Sequence, residues 1–566
     1  METTESTVPT FHLGICMAGA VSAGAYTAGV IDYLLEALAA YEKQRGQAGI
    51  PCHKVEIPAI GGASAGGMTA IITAAALQQG ITHIDKPGND LLAERPENIL
   101  YHSWVDLVAV DMFGKMLDTD DIKTEGVVSA LNCEFIDTVA QRAITPANAS
   151  QINWQPLPGF FPDRLKLFTT LSNLEGFTYN VNFVSAGVDN RHPYYMKFHN
   201  DYACFEMLRD GQAPANGWMP LDIRTGDYAA TAIQAAMATG AFPVGLKARQ
   251  VTRTKEAVMN NPLVDSRILK AIMPPTDPCY NSLNIDGGMI NNEPFDKVRY
   301  LLEEPSQQYD QKLYEDYRTF NSTVLMVAPF PSTKPKGIDL SNKLLNVIGL
   351  TLSAMISQMR SKPWQVKEAN DSNCAGQYLI DPSRHFIAPD GKVVKFAGDK
   401  AIACGALSGF SGFLSKEFRV HDFFLGRHNC KIFLKEYFTI PDEHKETNPV
   451  FAKGYAGITD ERFRAKDGGW QIIPIVEDVN YDFPKLPFTS GKDWPVQEWS
   501  AINKFDHPLR KRIEAVIMNI TPYNFLQRFA LWIGVRVILR GMLAKSILKT
   551  IKKELIEWHL VKKDIS

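Results

Sequence analysis

Ser64 stands in Gly62-Ala63-Ser64-Ala65-Gly66, a hydroxyl flanked on both sides by small residues. A G-x-S-x-G turn between a strand and a helix is a way to expose a serine nucleophile for acyl transfer. The small residues answer a steric need: the serine takes strained backbone angles, and larger flanking side chains would collide with the strand and helix on either side. A hydroxyl remains a poor nucleophile until a base takes its proton. Histidine is one source of that base. Among the twelve histidines the candidates taken from downstream of the serine are His385, His421, His428 and His444, but His421 and His428 fall in an aromatic stretch better suited to structural roles. A carboxylate is the other source. Asp286 ends the short apolar run Leu283–Asp286 and enters Gly287-Gly288, so it is placed at a strand end where it could accept the proton directly. A lipid-like substrate would keep such a carboxylate dry and raise its basicity.

The third requirement is a set of donors for the developing oxyanion. Ala18-Gly19-Ala20-Val21-Ser22-Ala23-Gly24 follows an apolar strand and precedes a helix. Backbone N–H groups at such a junction can hold an anion. The loop lacks the Gly-Lys-Ser/Thr ending of a P-loop and the G-x-G-x-x-G spacing of a dinucleotide site. Oxyanion stabilisation needs only backbone donors near a nucleophile, so Gly19, Ala20 and Val21 are the candidate donors.

The elements that must position these groups alternate. Phe11–Met17 is a buried-strand candidate, and a helix runs from the loop to about Ala40. A second strand begins near Val55 and delivers Ser64 into a helix of Ala, Ile and Thr, as a βαβ unit would. Leu165–Leu174 and Phe177–Phe183 read as two strands joined in a hairpin at Glu175-Gly176. Ala229–Val244 reads as a small-residue helix ended by Gly240 and Pro243, and Thr323–Pro329 as a further strand. The pattern predicts an α/β fold, with helices on both faces of a mostly parallel sheet.

Length and composition bound the rest. At 566 residues, 45% apolar and 21% charged, the chain can bury a sizeable core. A net charge of −3 argues against nucleic acid as a partner. Eight scattered cysteines show no C-x-x-C pair and no zinc spacing, which favours free thiols. No run reaches the roughly 18 apolar residues of a membrane-spanning helix. A cytoplasmic location is expected, with peripheral attachment at the inner membrane face as its extension.

The order of small-residue loop, G-x-S-x-G and Asp-Gly-Gly resembles the patatin-like phospholipase family over about residues 8–335. GALSGF and FRVHDFFLGRHNCKIFL, near residues 405–434, resemble the longer bacterial patatin-related proteins and extend the likeness toward residue 440. The resemblance implies a three-layer α/β/α fold and a Ser–Asp dyad that hydrolyses fatty-acyl esters through an acyl-enzyme. It assigns Ser64 as nucleophile, Asp286 as base and the Gly-rich loop as oxyanion hole, with a phospholipid or other lipid ester as substrate and neither metal nor cofactor. One departure stands out. The family loop commonly reads Asp-Gly-Gly-Gly-x-Arg/Lys-Gly; here Ala20 and Val21 replace two glycines and Ala23 replaces the basic residue. A lipid acyltransferase with the same dyad, and a membrane-binding scaffold whose site has decayed, are the alternative readings.

The domain reading is a catalytic domain over 8–335, a helical extension over 336–440 packed on it, and a C-terminal region over 441–566. The last stretch is apolar and basic. Arg528, Arg536, Arg540, Lys545, Lys549, Lys552 and Lys553 recur at mostly helical intervals. Such a helix can lie on an anionic membrane, with its cations at the headgroups, or pack on the protein with a solvated basic face.

Overall fold

A computed structural model describes residues 8–331 apart from 89, 110, 146–151, 185–190, 210 and 272–277; beyond 331 it describes scattered positions between 347 and 357, then 375–476 without 376 and 388–390, 494–521 and 534–562. The sequence also reads as a boundary at 331–337 and as an amphipathic helix at Leu344–Met359; residues 332–337 and most of that helix lie outside the described residues.

Nine described strands form one mostly parallel sheet. Strand β1 (Thr10–Met17) lies at its centre, parallel to β2 (Lys54–Gly62) on one side and to β8 (Ser322–Val327) on the other. Beyond β2 come β3 (Arg164–Val184), then β4 (Arg191–Leu208) and the short β5 (Met219–Pro220); beyond β8 comes β9 (Gln377–Ile380). β6 (Arg249–Thr254) pairs with β7 (Cys279–Asp286), which pairs in turn with β3.

β1 is apolar almost throughout because both of its faces are covered, as expected for a central parallel strand. Successive side chains point to opposite faces. Phe11, Leu13, Ile15 and Met17 join the larger core with helices α1 (Gly24–Gln44) and α2 (Ala65–Gln79). Cys16 joins a smaller core with Val298 and Leu302 of a helix on the other face, Phe295–Ser306. The register aligns Met17 with Gly62 and with Val327. Three parallel strands thus end together, and ligands of open α/β sheets bind at that carboxyl edge.

One expectation needs correction. Glu175-Gly176 is not a hairpin turn. Leu165–Leu174 and Phe177–Phe183 belong to one strand, β3, whose register against β4 shifts between Ser172 and Phe177. The Asn173 side chain accepts the N–H groups of Glu175 and Gly176, both at 3.1 Å, and Gly176 takes φ +73°, so the glycine makes a bulge that lets the strand continue. Ala401–Phe438, whose aromatic-rich sequence predicts a largely helical stretch, divides in two. Its first part consists of tight turns, and only Lys416–Glu436 is an α-helix.

That helix, α3 in the numbering used here, lies across α1 at very short range. A Cβ at Gly29 would overlap the Phe423 carbonyl, and one at Gly426 would overlap the Tyr26 carbonyl. Arg427, fully buried, pairs with Asp32 and with Glu36 of α1. The last described helices, α4 (Asp506–Asn519) and α5 (Arg540–Glu557), pack against each other. Arg512 of α4 reaches Asp121 at 2.5 Å and the Ala130 carbonyl at 2.9 Å. Ala544, Leu548, Ile551 and Leu555 of α5 are buried in the protein, whereas Lys545, Lys549 and Lys553 are exposed. No disulfide joins the described cysteines.

Candidate active site

Ser64 sits between β2 and α2 with φ +51° and ψ −126°, a backbone that L-residues avoid. Such a conformation costs about 1–3 kcal/mol and persists only where its surroundings hold it. The surroundings are tight. A Cβ at Gly62 would come within 2.5 Å of the Gly66 carbonyl carbon, and one at Gly66 would overlap the Met17 carbonyl. The elbow is thus folded on itself and pressed against the end of β1, where the Ala63 N–H donates to the Met17 carbonyl at 3.1 Å. Ser64's own N–H donates to Thr239 Oγ1 at 2.9 Å.

Asp286 closes β7. Its register partner is Leu171 of β3, its N–H donates to the Ala241 carbonyl at 2.9 Å, and its carbonyl accepts the Ser172 hydroxyl at 2.8 Å. The carboxylate bridges two groups: Oδ1 accepts the Gly288 N–H at 2.7 Å, and Oδ2 accepts the Ser64 hydroxyl at 2.7 Å. Both residues are buried. The two residues singled out in the sequence, 222 positions apart, therefore meet at hydrogen-bond distance.

None of the four candidate histidines takes that place. His421 Nδ1 bonds Asp422 at 2.7 Å, His444 stacks on Tyr317, and His385 pairs across a surface ribbon with Lys395. His428 is held neutral, its pKa lowered to about 4 chiefly by burial.

The loop after β1 passes directly beside the serine. A Cβ at Gly19 would lie 3.0 Å from Ser64 Cβ and would overlap Asn292 Oδ1, so a larger residue there would displace the Asn292 side chain. Among the described residues no backbone carbonyl accepts the N–H of Gly19 or of Ala20. Ala20 takes φ −151° and Val21 φ +47°. A β-branched residue with positive φ is a genuine outlier, because its branched side chain crowds the backbone. A short turn, Val21–Ala23, then leads into α1.

Sequence reasoning passed over Thr239, Asn292 and Ser22. Thr239 closes the helix Ala229–Thr239, two residues before Ala241. That one segment thereby grips the backbone of both Ser64 and Asp286. Asn292 fills the gap between Gly19 and Gly288. A polar residue at the end of an Ala-rich helix, and the Asn pair after Asp-Gly-Gly, were the available signals.

A patatin-like phospholipase family model matches residues 15–299, half of the chain and the whole of the arrangement just described. The chain belongs to the patatin-like phospholipase family, and membership places it among lipid acyl hydrolases. It is also similar to the uncharacterized protein y4iI of Sinorhizobium fredii (strain NBRC 101917 / NGR234), 28% identical over 572 residues that cover 91% of this chain and 76% of that protein. That likeness extends past residue 299 into the C-terminal segments. No described helix is long and apolar enough to cross a membrane.

Proposed function

We propose that the protein hydrolyses fatty-acyl esters of lipids, as a phospholipase A-type enzyme, through a Ser64–Asp286 dyad. Asp286 removes the hydroxyl proton as Ser64 Oγ attacks the ester carbonyl, and N–H groups of the Gly19–Val21 loop receive the oxyanion. Collapse expels the alcohol, which takes the proton from Asp286, and leaves an acyl-enzyme. A water then gives its proton to Asp286 and attacks the acyl carbon; Ser64 Oγ leaves with that proton from Asp286, which releases the fatty acid and restores the hydroxyl. The observation that carries this reading is the 2.7 Å bond from Ser64 Oγ to Asp286 Oδ2. Its support is a strained serine whose turn is gripped from β1 and from Thr239.

The test is fatty-acid release from mixed phospholipid vesicles by the full chain, by Ser64→Ala and by Asp286→Asn. Loss of about 10³-fold or more in both variants is expected. Full activity in either folded variant would end the dyad reading. Added alcohol acceptor in the same assay separates hydrolysis from acyl transfer by product. Failure of Ser64 to react with a fluorophosphonate would favour a decayed scaffold. The exposed row Lys545, Lys549 and Lys553 supports attraction to anionic headgroups, the route by which the enzyme would reach its substrate at a membrane surface.

A further inference from the structure

Val21 has no conformational excuse within its own loop. Its φ of +47° must be enforced from outside. The enforcing contacts come from a segment almost four hundred residues away. Ser22, buried, donates its hydroxyl to the Gly409 carbonyl and accepts the Gly412 N–H at 3.0 Å. Gly409 lies against the strained turn itself: a Cβ there would stand 3.1 Å from Val21 Cβ and 3.3 Å from the Ala20 carbonyl oxygen. Gly409 also has φ +95°, so both backbone and space require glycine.

The supporting segment is strained as well. Leu407 and Ser408 take φ +57° and +53°, giving three consecutive residues with positive φ. Its geometry is anchored at two further points. The Asp422 carboxylate of α3 accepts the N–H groups of Ala403 and Cys404, both at 2.8 Å. The Leu407 N–H donates to Glu554 Oε2 of α5 at 2.8 Å. A line of hydrogen bonds therefore runs from the C-terminal helix through residues 403–413 to the turn beside Ser64.

We propose that Ser22 is a positioning residue for the oxyanion turn. Residues 403–413, steadied by Glu554, hold Val21 in its left-handed backbone so that the Gly19 and Ala20 N–H groups point at the acyl oxygen. The inference rests on the dyad reading above. It gives the C-terminal helix an effect on catalytic rate, and it accounts for valine where the family loop has glycine: the left-handed backbone that glycine adopts freely is imposed on Val21 by a second segment.

The test uses the full chain and a p-nitrophenyl fatty ester, with the thermal midpoint as the check on folding. Ser22→Ala should lower kcat about tenfold or more with KM within twofold, because an oxyanion contact matters mainly in the transition state. Glu554→Ala should lower kcat about three- to tenfold, and Glu554→Gln, whose amide oxygen still accepts the Leu407 N–H, should restore it to within twofold of the parent. A folded Ser22→Ala with kcat within twofold of the parent overturns the proposal. So does a Glu554→Gln as slow as Glu554→Ala, which also decides the matter if Ser22→Ala does not fold. Ser64→Ala in parallel separates the two readings: turnover that persists without Ser64 ends the dyad reading, whereas Ser64-dependent turnover insensitive to Ser22 and Glu554 ends this inference alone.

Discussion

Gly29 and Gly426 face each other where α1 crosses α3, each lying beneath a backbone carbonyl of the opposite helix. The contact leaves no room for a methyl group on either side. Alanine favours a helix over glycine by about 1 kcal/mol, but overpacking against backbone, which cannot swing away, costs about 3 kcal/mol or more. Gly29→Ala and Gly426→Ala should each destabilise the protein by about 2 kcal/mol net, read as a lowered urea midpoint. A midpoint equal to the parent's would mean that the two helices can part at little cost.

Asp32 sits at the centre of the same contact. Its carboxylate meets Arg427, His83 at 3.1 Å and Asn98 at 2.8 Å. Burial pushes its pKa up, yet the Arg427 guanidinium, His83 and Asn98 together outweigh that and hold it below the usual value. Arg427→Met strands a buried carboxylate and should cost about 3–5 kcal/mol. Adding Asp32→Asn should recover part of the loss. A double variant as unstable as the sum of the singles would show that the two residues do not act as a pair.

Thr239 holds the backbone of Ser64 through its hydroxyl. Thr239→Val keeps the shape and removes the acceptor, so it should cut kcat about tenfold with little change in KM, and Thr239→Ser should restore most of the rate. A slow serine variant beside a valine variant as fast as the parent would point to packing of the Thr239 methyl instead.

Acid should destabilise the fold through His53. It is fully buried, with Nε2 2.9 Å from the Ile472 carbonyl oxygen, and burial pushes its pKa down to about 4. Above about pH 6.5 the ring is neutral in both folded and unfolded chains. Between that pH and 4 the unfolded chain takes up a proton that the folded one refuses, so stability falls as pH falls. Below 4 the loss is complete, at about 3 kcal/mol. The thermal midpoint of His53→Gln should therefore drop less between pH 7 and pH 4.5 than the parent's; parallel curves would remove His53 from the account.

The meeting of Ser64 and Asp286 was legible because the chemistry proposed for them demands unusual residues. A serine among four small residues and an aspartate before two glycines have few purely structural reasons to exist. The sheet was legible for a related reason, since parallel strands buried on both faces read as short unbroken apolar runs such as Phe11–Met17. What escaped depends on distance in sequence. Nothing near Thr239 announces a bond to Ser64, and nothing near Ser22 announces Gly409. The continuous β3 escaped because a glycine that normally ends a strand here carries a bulge. The basic C-terminal helix showed its amphipathic character, but periodicity could not say whether Leu548 and Leu555 would face lipid or, as they do here, the body of the protein.

The bond between Ser22 and Gly409 spans 387 positions, which gives it a meaning in time. During synthesis at about 5–20 residues per second, the turn beside the nucleophile exists for roughly 20 to 80 s before its far support has been made. If the proposed dyad and its support hold, the nascent chain carries Ser64 through that interval with the Gly19 and Ala20 N–H groups unsupported, and turnover would reach its full rate only after residues 403–413 have folded onto the turn.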